Sequence, residues 1–225
     1  MDALFYILRT GCQWRNLPTY FPKWQTVYWY FNRWKKQNIL SEINCFLNQL
    51  DRVRENKNEN PSVFCIDSQS VKLSPMIFEN RGIDANKKIN GRKRQLLVDT
   101  GGRIWFAYVH AANEADGKAA LNFSADILCQ NERLQKFYGD QAYNGIFADK
   151  MREFGFEFEK ASRPESVRGF VPVAKRWVVE RTIAWTNFFR RIVKDYEYTT
   201  SSSVAWLLLA NIQLMLQRNP PSGQT

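Results

Sequence analysis

Residues 54–62 read RENKNENPS, a polar and charged run with nothing to bury, and the hydrophobic pattern on its two sides is different. Before it the spacing is helical. Trp24, Val27, Tyr28, Phe31 and Trp34 recur at three and four, while Lys23, Arg33, Lys35 and Lys36 stay polar, as an amphipathic helix requires. DALFYILRT and LSEINCFLNQLDRV carry the same spacing on either side of it, separated by the turn GCQWRNLP. After the polar run the pattern becomes strand-like: SVFCIDSQSV is a β-rich apolar run, and RKRQLLVDTGGRIWFAYVHAAN holds two more around DTGG, a hairpin turn. Helical spacing in ADGKAALNFSADILCQ, a strand-like LQKFYGD, a short helix around FADKMREFG, a strand at FEFEKAS and a long helix from about Pro172 to Asp195 follow. Strands first and alternation afterwards predict an α/β fold with a mixed sheet. The boundaries are a helical module over 1–54, a linker over 55–62, an α/β domain over 63–219 and a tail over 220–225.

Composition decides which partners suit such a chain. Lys and Arg number 32 against 22 Asp and Glu, a net charge of +10, and 44% hydrophobic with 15% aromatic residues excludes disorder. The basic residues recur beside aromatic ones instead of forming one tail, which points to nucleic acid before membrane; a generally basic soluble protein is the alternative. Two N-terminal helices around a Gly- and Pro-bearing turn fit a helix-turn-helix that presents Arg33, Lys35 and Lys36 to DNA, and fit plain helix packing equally. Cys12, Cys45, Cys65 and Cys129 lack zinc-site spacing and read as buried thiols of a reducing compartment. MDALFYILRTG has no signal-peptide pattern, and VAWLLLANIQLML is too short to span a bilayer. A cytosolic (cytoplasmic) protein is the expectation.

Chemistry narrows by what is scarce. His110 is the single histidine, it lies in an apolar run, and it reads as a hydrogen-bonded strand residue, so carboxylates holding magnesium are the economical route to an activated oxygen. Asp67, Asp99 and Asp140 each end an apolar strand-like run, where an unpaired carboxylate is costly. Asp99 has a turn role before Gly-Gly, and its replacement should be mild for the chemistry by comparison with that of Asp67 or Asp140. Asp67 and Asp140 have none, and on adjacent parallel strands they would share one carboxyl edge, the far edge from Asp99. Glu180, in RWVVERTIAW, lies at the margin of an apolar arc of Ala184, Trp177, Phe188, Ile192, Trp185, Val178 and Phe189 that Arg181 interrupts, with Arg176, Asn187 and Arg191 on its polar side. A surface pair with Arg176, worth about 0.2–0.5 kcal/mol, is the alternative use of that glutamate.

Taken together, IDSQSVK, GRKRQLLVDTGG, VHAANEADG, GDQAYNG, RWVVERTIAW and RRIVKDYEY occur in an order and approximate spacing that resemble bacterial insertion-sequence transposases of the DDE type, the insertion-sequence-five family. LRTGCQWRNLP and FPKWQTVYWYFNRW resemble the helical module that precedes their catalytic domain, so the likeness covers roughly residues 4–218. Members carry a further helical segment before ILRTGCQWR, so the N-terminal module is expected to be incomplete.

The resemblance implies an RNase H-like mixed sheet flanked by helices and a catalytic, metal-binding triad of Asp67, Asp140 and Glu180. It also implies two Mg2+ ions, with Mn2+ able to substitute, double-stranded DNA at the element ends and target, and a homodimer in the synaptic complex. Arg176 matches a basic position of the glutamate signature, whereas Asn187 stands where a sister group carries lysine. Lys87, Lys88, Arg92, Lys93 and Arg94 of KKINGRKRQ suit DNA phosphates, or else a solvated hairpin face, and Arg190, Arg191 and Lys194 extend a basic track beyond Glu180. The implied activity is metal-dependent strand cleavage and transfer at terminal inverted repeats. A non-catalytic DNA-binding relic and a different metal nuclease of the same fold are the rival readings.

Overall fold

Six strands form one sheet at the centre of the chain, in a computed structural model that describes residues 1–123, 132–161 and 176–219. β1 (Val63–Lys72) lies in the middle, antiparallel to β3 (Ile89–Val98) on one side and parallel to β5 (Lys136–Gly139) on the other. β6 (Glu157–Lys160) continues the parallel half. The outer edge of β3 is shared by β2 (Gly82–Asp84), which pairs with its first residues, and β4 (Ile104–Ala111), which pairs with the rest. The β3–β4 hairpin turns at DTGG as its sequence predicts, whereas the three-residue β2 carries no periodicity of its own and was not foreseen.

Period-two alternation sends β1 side chains to opposite faces. Cys65 joins Leu96, Val98, Val178, Val179 and Trp206 on one face, and Phe64 and Ile66 join Leu97, Phe137, Tyr143 and Phe147 on the other. The second face is covered by α4 (Asp116–Ala119) and α5 (Ile146–Glu153). The first is covered by α6 (Arg176–Thr186), α7 (Arg190–Val193) and α8 (Thr200–Arg218) together with the N-terminal helices α1 (Asp2–Thr10), α2 (Trp24–Lys36) and α3 (Ile39–Arg54). The run VAWLLLANIQLML lies in α8 and is buried on nearly every side, which accounts for its high hydrophobicity. Among the described residues no helix is long and apolar enough to cross a membrane.

The long helix expected from Pro172 to Asp195 is corrected in its described part. α6 stops at Thr186 and α7 restarts at Arg190, and in the break between them Phe189 turns into the core while Phe188 stays 82% exposed. Residues 162–175 and Cys129 lie outside the described residues. The reading of the cysteines as buried thiols holds for Cys65, but Cys12 is half-buried and Cys45 exposed. His110 is buried on β4, with its two ring nitrogens against the Ala111 carbonyl and the Gln95 carboxamide, as a satisfied strand residue should be.

Polar groups bind the N-terminal helices to the sheet. Asn44 and Asn48, one turn apart on α3, both donate to the Ile104 carbonyl at 2.8 Å, while Asn211 of α8 accepts from the Ile104 N–H at 3.0 Å and donates to both α3 carboxamides. Beside them Arg103, fully buried, meets Asp51 at 2.7 Å, Glu55 at 2.8 Å and Asp99 at 3.2 Å, and Arg52 meets Asp99 at 2.6 Å. The turn role expected of Asp99 is present and extends further: its carboxylate takes the turn N–H groups of Gly101 and Arg103 and also neutralises two buried guanidinium groups. We expect Asp99→Asn to cost about 3–5 kcal/mol, the usual penalty for removing one partner of a buried ion pair, measured as a lowered urea midpoint. Burial works against ionised Glu55, but hydrogen bonds from Arg103 and Lys57 prevail and hold its pKa at about 2. That is below its unfolded value, so its stabilisation is complete above about pH 4.5 and is lost as pH falls toward 2. Glu55→Gln should accordingly flatten the acid side of the stability profile, read by circular dichroism.

Candidate active site and basic surface

The paired register of β1 and β5 runs Val63 with Lys136, Phe64 with Phe137 and Cys65 with Tyr138. Continued two residues, it sets Ile66 beside Gly139 and Asp67 beside Asp140. Neighbouring strands lie about 4.8 Å apart, so the two carboxylates project from adjacent positions on one face. Gly139 is required for this approach, since a Cβ there would come within 2.9 Å of the Ile66 side chain. Asp67 is inside β1, which runs on to Lys72, so it does not end its strand as the apolar run suggested. Asp140 does follow the last residue of β5. Each is aimed by the backbone: Ser68 N–H donates to Asp67 Oδ1 at 2.7 Å, and Ala142 N–H donates to Asp140 Oδ1 at 2.8 Å, capping the short helical turn Gln141–Tyr143. Asp99 sits at the opposite end of the sheet in the hairpin.

Glu180 is exposed on α6, which packs over the Asp67 face. Near its middle Thr182 donates to the Gly102 carbonyl at 3.0 Å, and beyond its last residue the Asn187 carboxamide accepts from Gln69 of β1 at 3.1 Å. Gly102 holds φ at 82°, and a Cβ there would be 2.7 Å from the Thr182 hydroxyl, so this turn and this helix fit only with glycine between them. Glu180 lies on the exposed side of α6, away from the arc of Val178, Val179, Thr182 and Thr186 that faces the sheet. The tryptophan-rich arc read from RWVVERTIAW is not what docks this helix. Val178, Val179, Thr182 and Thr186 are buried, whereas Trp177, Ala184 and Phe188 are exposed. Trp177 and Trp185 instead stack on the Arg181 guanidinium, each 4.3 Å from its ring centre, which explains both the exposed rings and the charge that interrupts the arc. Arg176 opens α6, and its side chain lies outside the described residues.

Among the described residues no three His, Cys, Asp or Glu side chains gather as a group able to hold a metal. Two carboxylates on neighbouring strands nevertheless fit a hydrated divalent cation, because Mg2+ keeps several waters and takes one or two protein carboxylates. Tyr143 and Asp116 are the residues the sequence reading passed over. Both lie within quoted motifs, but neither periodicity nor spacing gives them a role. Tyr143 is buried with Phe64 and Ile66 on the second face of the sheet, and burial pushes its pKa well above the ordinary tyrosine range, with Asp116, Asp67 and Asp140 adding to the effect.

The basic residues divide. Lys87, Lys88, Arg190, Arg33 and Lys36 are exposed, and Lys194 is half-buried over the Tyr196 ring. Arg92, Lys93 and Arg94 are buried, which corrects both the phosphate-contact reading and the solvated-face alternative: β3 is covered on both faces, so neither alternating set of its side chains reaches water. Arg92 ties Glu79, Glu197 and Tyr198 carbonyls together and pairs with Asp195, Lys93 pairs with Asp116 at 3.3 Å, and Arg94 donates to the Ile192 carbonyl. Arg191 is held by Glu197 against Trp206, and Lys35 donates to Ser202 at 2.8 Å, with burial lowering its pKa. These two are likewise committed inside the molecule.

A sheet of this order, with acids on its adjacent central parallel strands, defines an RNase H-like domain. The chain belongs to the family of the Transposase DDE domain, whose model matches residues 58–215. Residues 1–44 match the model of an IS4/5-family transposase module, DUF4096. A comparison with curated proteins returned no match. Among solved structures, the Mos1 transposase paired-end complex with left transposon end is similar at 11% identity and a TM-score of 0.30, covering 70% of this chain and 56% of that one. This chain thus spans little more than half the length of that relative.

From the division of the basic residues we expect Arg92→Ala to lower the thermal midpoint by several degrees, because it leaves three carbonyls without this donor and the buried Asp195 without its cation. Lys88→Ala, at an exposed turn, should leave the midpoint within about a degree of the parent by calorimetry.

Proposed function

We propose that the chain is a DNA transposase that cleaves and joins DNA at the terminal inverted repeats of its own element, with Asp67, Asp140 and Glu180 as its catalytic carboxylates. The observation that carries this reading is the apposition of Asp67 and Asp140 across β1 and β5 in a chain of the DDE-domain family. Asp67 and Asp140 hold Mg2+, or Mn2+ in its place, through carboxylates already oriented by the backbone. Glu180 contributes the third carboxylate from the edge of α6. A pair of such ions supplies activation of the attacking oxygen and stabilisation of the leaving oxygen at one phosphorus.

The chain's own residues do the positioning. Exposed Lys87, Lys88, Arg190, Arg33 and Lys36, with Lys194 and Arg176, meet DNA phosphates, which fixes register without reading sequence. Asn187, where related proteins carry lysine, engages Gln69 and so holds the α6 edge to β1 in place of a phosphate contact. A homodimer bringing two element ends together, acting in the cytoplasm, completes the reading.

The test is cleavage and strand joining of oligonucleotides carrying the element ends, with Mg2+ and with Mn2+. Asp67→Asn, Asp140→Asn and Glu180→Gln should each reduce turnover by about a thousandfold or more while leaving DNA affinity within about twofold, since they remove groups acting in the transition state. Binding without any cleavage by the parent chain would favour a DNA-binding relic, and cleavage without joining a nuclease.

A further inference from the structure

We infer that the outer face of α2 reads base edges in the major groove of duplex DNA, with Gln25 and Trp29 as its specificity-determining residues. The inference rests on the proposed DNA-binding reading and deepens it by naming the element that selects a nucleotide sequence.

The way α2 is buried defines this face. Val27 and Phe31 mark the side that enters the core, and Gln25, Trp29, Asn32, Arg33 and Lys36 fall within one arc of about 100° on the side away from it. Gln25, Trp29, Arg33 and Lys36 are exposed. Lys35 lies outside the arc, where it donates to Ser202.

The residue types on the arc suit a polyanion with hydrogen-bonding edges. No acid occurs in the 13 residues of α2, and Arg33 is held by the Trp29 ring at 5.2 Å and the Gln37 carboxamide at 3.2 Å, neither of which neutralises it. A second copy of the same face would bring like charges together, which disfavours self-association. Beside the cations stand an amide and an indole. An amide matches the N6 and N7 pattern of adenine, an apolar group matches the thymine methyl, and both are presented in the major groove, which admits an α-helix. Gln25 and Trp29 lie one turn apart, about 6 Å along the axis, and so span about two base pairs. Asn32 donates to the Tyr28 carbonyl of its own helix at 3.1 Å, which leaves Gln25 as the amide available to a base. Arg33 and Lys36 then meet the flanking phosphates.

The next helix is unsuited to this role. α3 follows α2 after the turn at Gln37 and Asn38, in the place of the second helix of a helix-turn-helix, but Asn44 and Asn48 tie it to the Ile104 carbonyl inside the molecule. Its outward side carries Glu42, Cys45, Phe46 and Val53, an acid among apolar groups. The uncovered basic face therefore belongs to the first helix of the pair.

The experiment selects duplexes with the full chain from a random-sequence pool. Affinities for the selected duplex and for its scrambled counterpart are then measured by fluorescence anisotropy across a salt series, for the parent, Gln25→Ala, Trp29→Ala, Lys36→Ala and Phe46→Ala. All four side chains are exposed, so thermal midpoints should stay within a few degrees of the parent. Gln25→Ala and Trp29→Ala should each lower the ratio of selected to scrambled affinity about tenfold while leaving the scrambled duplex within about twofold. Lys36→Ala should weaken both duplexes alike and reduce the salt slope by about one, and Phe46→Ala should change neither quantity. A parent that selects no sequence would overturn the inference, as would an unchanged ratio in either Gln25→Ala or Trp29→Ala, or a ratio lost in Phe46→Ala. Loss of self-association in Trp29→Ala, seen by sedimentation with the ratio unchanged, would assign the face to a second copy instead. A parent that selects a sequence yet never cleaves it with Mg2+ removes the catalytic reading and leaves the face standing. Cleavage of the selected duplex with the ratio intact in both variants removes this inference alone.

Discussion

The structure depends on keeping Arg103 buried. A guanidinium with no exposure is tolerable only when acids surround it, and here they come from two directions, Asp51 and Glu55 from α3 and Asp99 from its own hairpin. The N-terminal helix is thereby tied to the β3–β4 turn, and the Asn44, Asn48 and Asn211 carboxamides repeat the tie one residue further on at Ile104. Consequences run outward from this turn. Gly101 and Gly102 offer their carbonyls to Arg181 and Thr182, so the turn seats α6. Two segments matched by different family models, on either side of a polar linker, thus share one core and one set of buried charges.

Charge on this molecule does two jobs that composition cannot separate. A net charge of +10 suits a polyanionic partner, yet several of the cations are spent on internal order. Arg92 is the clearest case, since it gathers the Glu79 carbonyl and the segment Glu197–Tyr198 around one guanidinium and so fixes both the connection after β1 and the entry to α8. The exposed basic residues are fewer than the basic runs suggest and are scattered over the β2–β3 turn, α2 and the start of α7. A cation is available for DNA only where the sheet leaves its side chain uncovered.

Much of the fold was legible in the residues. The switch from helical to alternating spacing at the polar run, the DTGG hairpin, and the β5 run ending at Asp140 all follow from local chemistry, and all are present. The stop of α6 at Thr186 was not legible, because it depends on which of Phe188 and Phe189 finds a pocket. The seating of α6 was misread for a related reason: Trp177 and Trp185 are the most hydrophobic residues in view, but Arg181 takes both their faces and leaves Val178, Val179 and Thr182 to the sheet. Hydrophobicity ranks residues one at a time, and a cation between two rings changes the ranking.

The sequence alone determined which chemistry was open to this chain: one histidine, no cysteine pair at zinc spacing, and acids placed after apolar strand-like runs leave oxygen-ligated divalent cations as the accessible reagent. It also determined that helices precede a mixed sheet. Only the tertiary structure decided that β1 and β5 pair in parallel across the whole β2–β4 excursion, in a register that brings Asp67 level with Asp140. Only it decided that Arg92, Lys93 and Arg94 face inward. The physical reason is the same in each case: spacing along the chain specifies which side of an element a residue occupies, while burial and partnership depend on what the rest of the chain brings against that side.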